Sequence, residues 1–484
     1  MITPIRKILI ANRGEIACRI MRTCHALKIK TVAVYSEADL HSPHVTMADE
    51  AICIGPPPSR ESYLNSKKII QAAIDTKSDA VHPGYGFLSE NDVFARAVGQ
   101  AGIIFIGPTP ESIHTMGNKL AAKDAAKAFN IPMVPGSDTA LSDINEARQI
   151  AEKIGFPLLV KAAAGGGGKG MRIVHQVDEL ESQVERAMSE ALSSFGDGSV
   201  FIEKYIASPR HIEIQVLADH HGHCIHLFER ECSIQRRHQK IIEEAPSSIL
   251  DPVKRESMGQ DAIRVAQSCQ YHGAGTVEFL VDEHGHHYFL EMNTRLQVEH
   301  PVTEFITGLD LVELQIRIAE GHPLEIQQKD LNIDGHALEL RVYAENSEAG
   351  FRPSTGNLTR YRPPHGDGIR VDEGYREGMD IPIHYDPMIA KLIVHAPSRK
   401  EAIEKMIRAI NDYEIRGVDT TLQFGRYAIG HEDFISGNFD THFVEKHMAD
   451  FLKQQHESDL ALAKFVTWLY QKRSAVLVLP EMSE

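Results

Sequence analysis

The sequence predicts a mixed protein, α/β and then α+β, that opens with a parallel sheet and ends in a mixed C-terminal domain. Three observations predict it. A length of 484 residues exceeds what one hydrophobic core organises, and usual domain sizes divide it into about three or four units. From Lys7 to about Ile113, short apolar runs alternate with helical stretches, as in a parallel α/β sheet. Further on, apolar runs come in pairs broken by His-Gly turns, as in antiparallel hairpins.

Taken in order, residues 1–115 form the first unit, with strands expected at Ile8–Ala11, Thr31–Tyr35, Ala51–Ile54, Ala80–His82 and Ile103–Ile106. Its architecture reads as Rossmann-like. The first strand-to-helix turn, Ala11 to Glu15, holds a single glycine, so the dinucleotide fingerprint is missing and NAD is not expected. Residues 116–335 form the central region. Within it, residues 134–206 read as a small mobile lid, interrupted by Gly136, Gly155 and the glycine run 165–168. Paired strands follow, then a helix, Leu311–Glu320, ending at Gly321. A mixed domain occupies 336–448. The tail, 449–484, begins helical and closes with the apolar run Ala475–Leu479.

Composition narrows the class. Hydrophobic residues make up 42% and charged residues 24%, which is globular rather than disordered. A net charge of −16 argues against nucleic acid as a main partner. The six cysteines form no CxxC pair and read as reduced thiols of a cytoplasmic protein. The apolar run Ile8–Ala11 is ended at once by Asn12 and Arg13, so it reads as a strand and not a signal peptide, and no run is long enough for a membrane helix.

Lys161 ends the apolar strand Leu158–Val160 and opens the stretch AAAGGGGKG, followed by the strand-like Met171–Val174. Glycines without Cβ let backbone N–H groups close on phosphate oxygens, and lysines at both ends supply countercharge. The ligand expected is a nucleotide phosphate; a flexible surface turn is the competing reading. Gly165, Gly167 and Gly170 spell GxGxxG but no helix follows, and Lys169 precedes glycine where a P-loop needs Ser or Thr.

Thr276–Asn293 reads as a hairpin. A two-residue turn at His284-Gly285 sets Glu278 opposite Glu291, and period-two alternation puts Asn293 on the same face. Val277, Phe279, Val281, Tyr288, Leu290 and Met292 then form the core face. Opposed carboxylates repel unless a hard cation joins them, so Mg²⁺ or Mn²⁺ is expected at Glu278, Glu291 and Asn293. The competing reading turns one glutamate to solvent. The same alternation, continued as strand, lines up Arg295, Gln297 and Glu299: a forked donor for a small oxyanion, an amide and a base. The run Gln235–Lys240 alone reads as an exposed loop. The histidine clusters at 220–223 and 284–287 have the residue type of metal ligands but fall where turns are expected, and surface turns are the favoured reading.

With these features in one chain, the sequence resembles the biotin carboxylase family of ATP-grasp enzymes over about residues 5–448. The matching stretches are KILIANRGEI (7–16), HPGYGFLSEN (82–91), the loop 165–170, QRRHQK (235–240), EMNTRLQVEH (291–300) and YDPM (385–388). The resemblance implies an ATP-grasp central region with ATP contacts at Lys119, Lys161, Gly167, Gly168, Glu203, Lys204, Ile206, His211, Gln235, His238 and Leu280. It implies two metal sites on Glu278 and Glu291 with Asn293 helping. It also implies bicarbonate at Lys240, Arg295, Gln297 and Val298, Glu299 as its base, and Arg341 against the enolate of biotin.

The same resemblance implies a reaction: bicarbonate attacks the γ-phosphate of ATP, the carboxyphosphate formed releases CO₂ and phosphate in a closed site, and phosphate takes the ureido proton of biotin. No methionine is followed by lysine, whereas many relatives carry biotin on a lysine set between methionines. A separate biotin carboxyl carrier protein and a carboxyltransferase subunit are therefore the expected partners, with a homodimer by family likeness. The stretches RGVDT (416–420) and GNFDTHF (437–443) resemble the propionyl- or general acyl-CoA carboxylase branch. Alternatives are the equivalent subunit of a pyruvate or 2-oxoglutarate carboxylase, another ATP-grasp carboxylate–amine ligase, and a nucleotide-binding regulatory protein that kept only the fold.

Overall fold

The computed structural model describes residues 2–137, 139–141, 143–162 and 171–476, without the side chains of residues 119, 120, 195 and 473–476. Five parallel strands open the chain: β1 (Lys7–Ile10), β2 (Lys30–Ser36), β3 (Glu50–Gly55), β4 (Ala80–His82) and β5 (Ile104–Phe105). Their order is β3-β2-β1-β4-β5, so the chain runs out from the centre one way and then the other. β1 is apolar on both faces because helices cover both: Ile8 and Ile10 pack on one side, Leu9 on the other, all without solvent exposure. Truncating Leu9 to alanine would cost about 2–5 kcal/mol.

The lid region has a core of its own. β6 (Leu158–Ala162) lies between β7 (Met171–Val174) and β8 (Val200–Lys204), antiparallel to both. Helices Ile144–Ile154 and Val177–Phe195 bury Ala147, Leu180, Val184 and Ala187 against Val160 and Ile202. Asp143 caps the first of these helices, accepting from the amides of Asn145 and Glu146.

An eight-stranded antiparallel sheet is the spine of the remainder. Its strands are β9 (Arg210–Ala218), β10 (Cys224–Arg236), β11 (Gln239–Ala245), β12 (Gly273–Val281), β13 (His287–Asn293), β14 (His336–Tyr343), β15 (Ile369–Glu373) and β16 (Met388–Ala396). The order is β13-β12-β9-β10-β11-β14-β16-β15. The sheet thus runs without a break from the central region into the C-terminal domain, and central and C-terminal residues meet on one surface. The tail helix is not a separate element: it starts at Phe443, inside the C-terminal core, and continues to Val476. No helix among the described residues is long and apolar enough to cross a membrane.

The hairpin β12–β13 does set Glu278 opposite Glu291, but by another route. The strands are joined by five residues, 282–286, instead of a two-residue turn. That pairs Phe279 with Phe289, and a bulge at Leu290 then restores the register at Glu278 and Glu291. Phe289 therefore enters the core, where Tyr288 and Leu290 were expected. The strand also stops at Asn293: residues 294–299 form an irregular turn into helix His300–Thr307. The stretch Gln235–Lys240 is a tight hairpin between β10 and β11, with Arg237 and His238 both left-handed (φ 49° and 68°).

Of the histidine clusters, His221 and His223 turn to the carbonyls of Gly321 and Leu324, and His287 lies on β13 with Nε2 2.5 Å from Asp261.

Candidate active site

Strand β9 carries His211, Glu213 and Gln215 on one face, all buried, and β10 places Arg230 beside them. Arg230 is wholly buried and donates to Glu213, to Gln215 (2.7 Å), to Thr303 (2.9 Å) and to Thr276 (3.0 Å). A buried guanidinium is tolerated only when its donors are met this fully. It holds Glu213 in position at the floor of the site.

Above that floor lies Lys240, from the start of β11. Its ammonium reaches Glu213 (2.5 Å), Glu299 (2.7 Å) and Glu278 (2.9 Å). The other oxygen of Glu299 accepts from Arg341 of β14 at 2.8 Å, and Arg341 also binds Glu243 at 2.6 Å. Glu299 is fully buried. Burial pushes its carboxyl up, but Lys240, Arg341 and Arg230 together hold it well below the usual range. Burial also disfavours the charged Lys240, yet the three glutamates raise its pKa well above the ordinary lysine value.

The metal-type residues sit beside this cluster. Glu278 Oε1 accepts from Lys240, Asn293 (2.9 Å) and Gln297 (3.3 Å), and Glu278 Oε2 lies 2.9 Å from His211 Nε2. Burial raises Glu278, but Lys240 and His211 outweigh it and keep the carboxyl strongly acidic. Glu291 faces Glu278 across the hairpin, exposed to the cavity. Two carboxylates and an amide oxygen are the hard donor set that Mg²⁺ or Mn²⁺ takes, so the residues fit such an ion. Asn293 Oδ1 already accepts from Arg295 at 3.1 Å, so a cation held there would share that oxygen with the guanidinium. Arg295 is itself anchored by Glu90 of the first domain (2.8 Å) and by Gln297 (3.1 Å).

These groups open onto a cavity of about 880 Å³ between the lid and the large sheet. That is the size range of a small-molecule or cofactor site. The described residues expected from sequence to touch ATP all line it: Lys161, Glu203, Lys204, Ile206, His211, Gln235, His238 and Leu280. Several of them also have partners within the protein. Glu203 is bound by both Lys161 and Lys123, and the Lys204 ammonium donates to the carbonyls of Gly155 (3.2 Å) and Phe156 (2.8 Å). Gln235 reaches His211 Nδ1 at 2.9 Å and so sets that ring's orientation. Gly167, Gly168 and the Lys119 side chain lie outside the described residues. Gln297 and Glu299 stand just behind the wall formed by Lys240, Arg295 and Arg341, with Val298 between them in sequence.

Sequence reasoning missed Glu213, Arg230, Glu243 and Lys123. For Glu213 a signal existed: His211, Glu213 and Gln215 alternate with Ile212, Ile214 and Val216, so one face of a buried strand is polar.

A small three-stranded unit facing a large antiparallel sheet across a nucleotide-sized cavity, with a carboxylate pair and an ammonium at its floor, is the arrangement of an ATP-dependent ligase of the ATP-grasp type. Three family models match in succession: "Biotin carboxylase, N-terminal domain" over residues 4–113, "Carbamoyl-phosphate synthase L chain, ATP binding domain" over 118–327, and "Biotin carboxylase C-terminal domain" over 339–446. The biotin carboxylase of Halalkalibacterium halodurans is 52% identical over 443 residues, covering 92% of this chain and 98% of that protein. The chain belongs to the biotin carboxylase family, and its activity is ATP-dependent carboxylation of biotin.

The propionyl-CoA carboxylase alpha chain of Sus scrofa is also 52% identical, over 92% of this chain, but the chain spans only 62% of that longer protein. Among solved structures, biotin carboxylase from Campylobacter jejuni in complex with β,γ-ATP superposes with a TM-score of 0.87 at 46% identity, covering 92% of this chain and 99% of that one. The biotin carboxylase domain dimer of Hydrogenobacter thermophilus 2-oxoglutarate carboxylase, solved with MgADP, ADP and bicarbonate, superposes at 0.86 with 48% identity, covering 92% and 98%.

Proposed function

We propose that this cavity carboxylates biotin carried on a separate biotin carboxyl carrier protein, as the first half-reaction of an acyl-CoA carboxylase. The observation that supports it most is the double hold on Glu299, with Lys240 at one oxygen and Arg341 at the other. An anion the size of bicarbonate, entering between Lys240, Arg295, Gln297 and the Val298 peptide, takes over the ammonium. Glu299 then loses a stabilising cation and becomes a stronger base at the moment its substrate arrives.

Glu299 takes the proton of bicarbonate as its oxygen attacks the γ-phosphate of ATP and expels ADP, and carboxyphosphate breaks down to CO₂ and phosphate. Phosphate removes the ureido proton of biotin, Arg341 faces the oxyanion that develops on the ring, and the ureido nitrogen then bonds to CO₂. ATP is held by Lys119, Lys161, Gly167, Gly168, Glu203, Lys204, Ile206, His211, Gln235, His238 and Leu280, and closure of the lid keeps water from the labile intermediate. Glu278, Glu291 and Asn293 hold up to two Mg²⁺ or Mn²⁺ ions, which neutralise phosphate charge when bound. The protein works in the cytoplasm as a homodimer, with a carboxyltransferase subunit as its second partner.

ATP hydrolysis by the purified chain with Mg²⁺ tests this reading. It is expected to require bicarbonate and to accelerate with free biotin. Cleavage indifferent to both would leave the ATP-grasp fold and remove the substrate assignment.

A further inference from the structure

Lys391 lies at the centre of β16 with no solvent exposure, a setting in which an ammonium persists only with strong partners. It stands directly opposite Arg341 in the β14–β16 register. The two cations therefore leave the sheet side by side. Arg341 reaches the Glu299 carboxylate at 2.8 Å, and Lys391 reaches the backbone carbonyl of the preceding residue, Val298, at 2.7 Å. Adjacent residues of one irregular turn are gripped by adjacent strands, one through its side chain and one through its peptide.

The opposite side of Lys391 points to the first domain. Its ammonium lies 3.5 Å from Glu15, in the first turn of helix Gly14–Ala26, and 3.8 Å from Asp372, its cross-strand neighbour on β15. Asp372 is fixed by Arg370 at 2.7 Å, and Glu15 accepts from the Tyr85 hydroxyl. The lysine thus ties the turn to a rigid frame made of two domains. Without regular secondary structure of its own, the 294–299 turn depends on tertiary contacts such as this one to hold its peptide orientations.

We propose that Lys391 is a positioning residue for carboxylation: by holding the Val298 carbonyl it orients the Val298 peptide and Glu299 toward bicarbonate. It touches no substrate and acts only through the turn. The inference rests on the proposed bicarbonate and base roles of residues 295–299, and the experiment separates the two.

Lys391→Gln keeps a polar group that burial tolerates but is too short to reach the carbonyl, and Lys391→Arg restores length and charge. Bicarbonate-dependent ATP hydrolysis gives kcat and the bicarbonate KM; MgADP binding by calorimetry reports the nucleotide subsite; Glu299→Gln is run in parallel. Lys391→Gln is expected to raise the bicarbonate KM at least tenfold with MgADP affinity within twofold of the parent, and Lys391→Arg to recover most of that loss. An unchanged bicarbonate KM in Lys391→Gln, with Glu299→Gln inactive, overturns the positioning role and leaves the base assignment standing. Full turnover in Glu299→Gln overturns the base assignment itself. Equal loss of bicarbonate and MgADP affinity in Lys391→Gln, or, where that variant does not fold, the same equal loss in Lys391→Arg, assigns Lys391 to general stability and also overturns the proposal.

Discussion

Lys240 Nζ lies 2.7 Å from Glu299 Oε1, and the same ammonium holds Glu213 and Glu278, so a single buried ammonium is shared by three carboxylates. Lys240, Arg341 and Arg230 outweigh the effect of its burial and hold the Glu299 carboxyl well below its usual range, which favours the ionised form. Glu299→Gln keeps shape and one acceptor but removes the base. Nucleotide binding is expected to persist while bicarbonate-dependent turnover falls at least about 100-fold, the usual weight of a positioned base. Steady-state hydrolysis together with MgADP titration checks this; unchanged turnover removes the assignment.

The Arg237-His238 turn is built from two left-handed residues where Asn-Gly is the ordinary choice. Left-handed backbone costs about 1–2 kcal/mol per non-glycine residue, against about 0.4–1 kcal/mol for the extra freedom a glycine gives the unfolded chain. The strain wins, so Arg237→Asn with His238→Gly should stabilise the fold by about 1 kcal/mol. His238 lines the cavity, and the same double variant should bind MgADP several-fold more weakly. Denaturant unfolding and calorimetry read both effects. A lower unfolding midpoint would show that the turn is relaxed as it stands.

How far the sequence disclosed this site depends on the range over which each feature is encoded. The parallel sheet follows from the local succession of apolar runs and helical stretches, and the common face of Glu291 and Asn293 from period-two alternation, which the chain writes directly. The bulge at Leu290 does not, because one extra residue in a strand leaves no mark in a period-two pattern; it came to the same register only because the turn is also one residue off. Arg295, Gln297 and Glu299 were read as a strand face and in fact converge from an irregular turn. Lys391 gave no local sign, since its meaning depends on Val298, Glu15 and Asp372, far apart in sequence.

Glu291 separates the metal role from the structural one. Glu278 is enclosed by Lys240, His211, Asn293 and Gln297, so Glu278→Gln disturbs binding and packing together. Glu291 is exposed, and Glu291→Gln should leave the unfolding midpoint nearly unchanged while raising the Mg²⁺ concentration for half-maximal activity about tenfold. A Mg²⁺ titration at saturating ATP measures it. A half-maximal Mg²⁺ concentration unchanged in Glu291→Gln would place the ions elsewhere.

Glu243 gives the site a pH signature. Burial pushes its carboxyl up to about 7, with Arg341 opposing and Glu299 adding to the rise, from an ordinary value of 4.5. Between those values the native chain binds a proton that the unfolded chain has released. Stability from this residue is therefore complete below about pH 4.5 and falls as pH rises through about 7. Over that window the loss amounts to about 3 kcal/mol. Glu243→Gln cannot titrate and still offers Arg341 Nε an acceptor. Its stability relative to the parent should therefore improve by up to about that amount between pH 5 and pH 8, whatever its offset at pH 5. Denaturant unfolding of both proteins at each pH unit measures the difference. Curves that stay parallel would mean that Glu243 is ionised throughout and that Arg341, rather than burial, governs it.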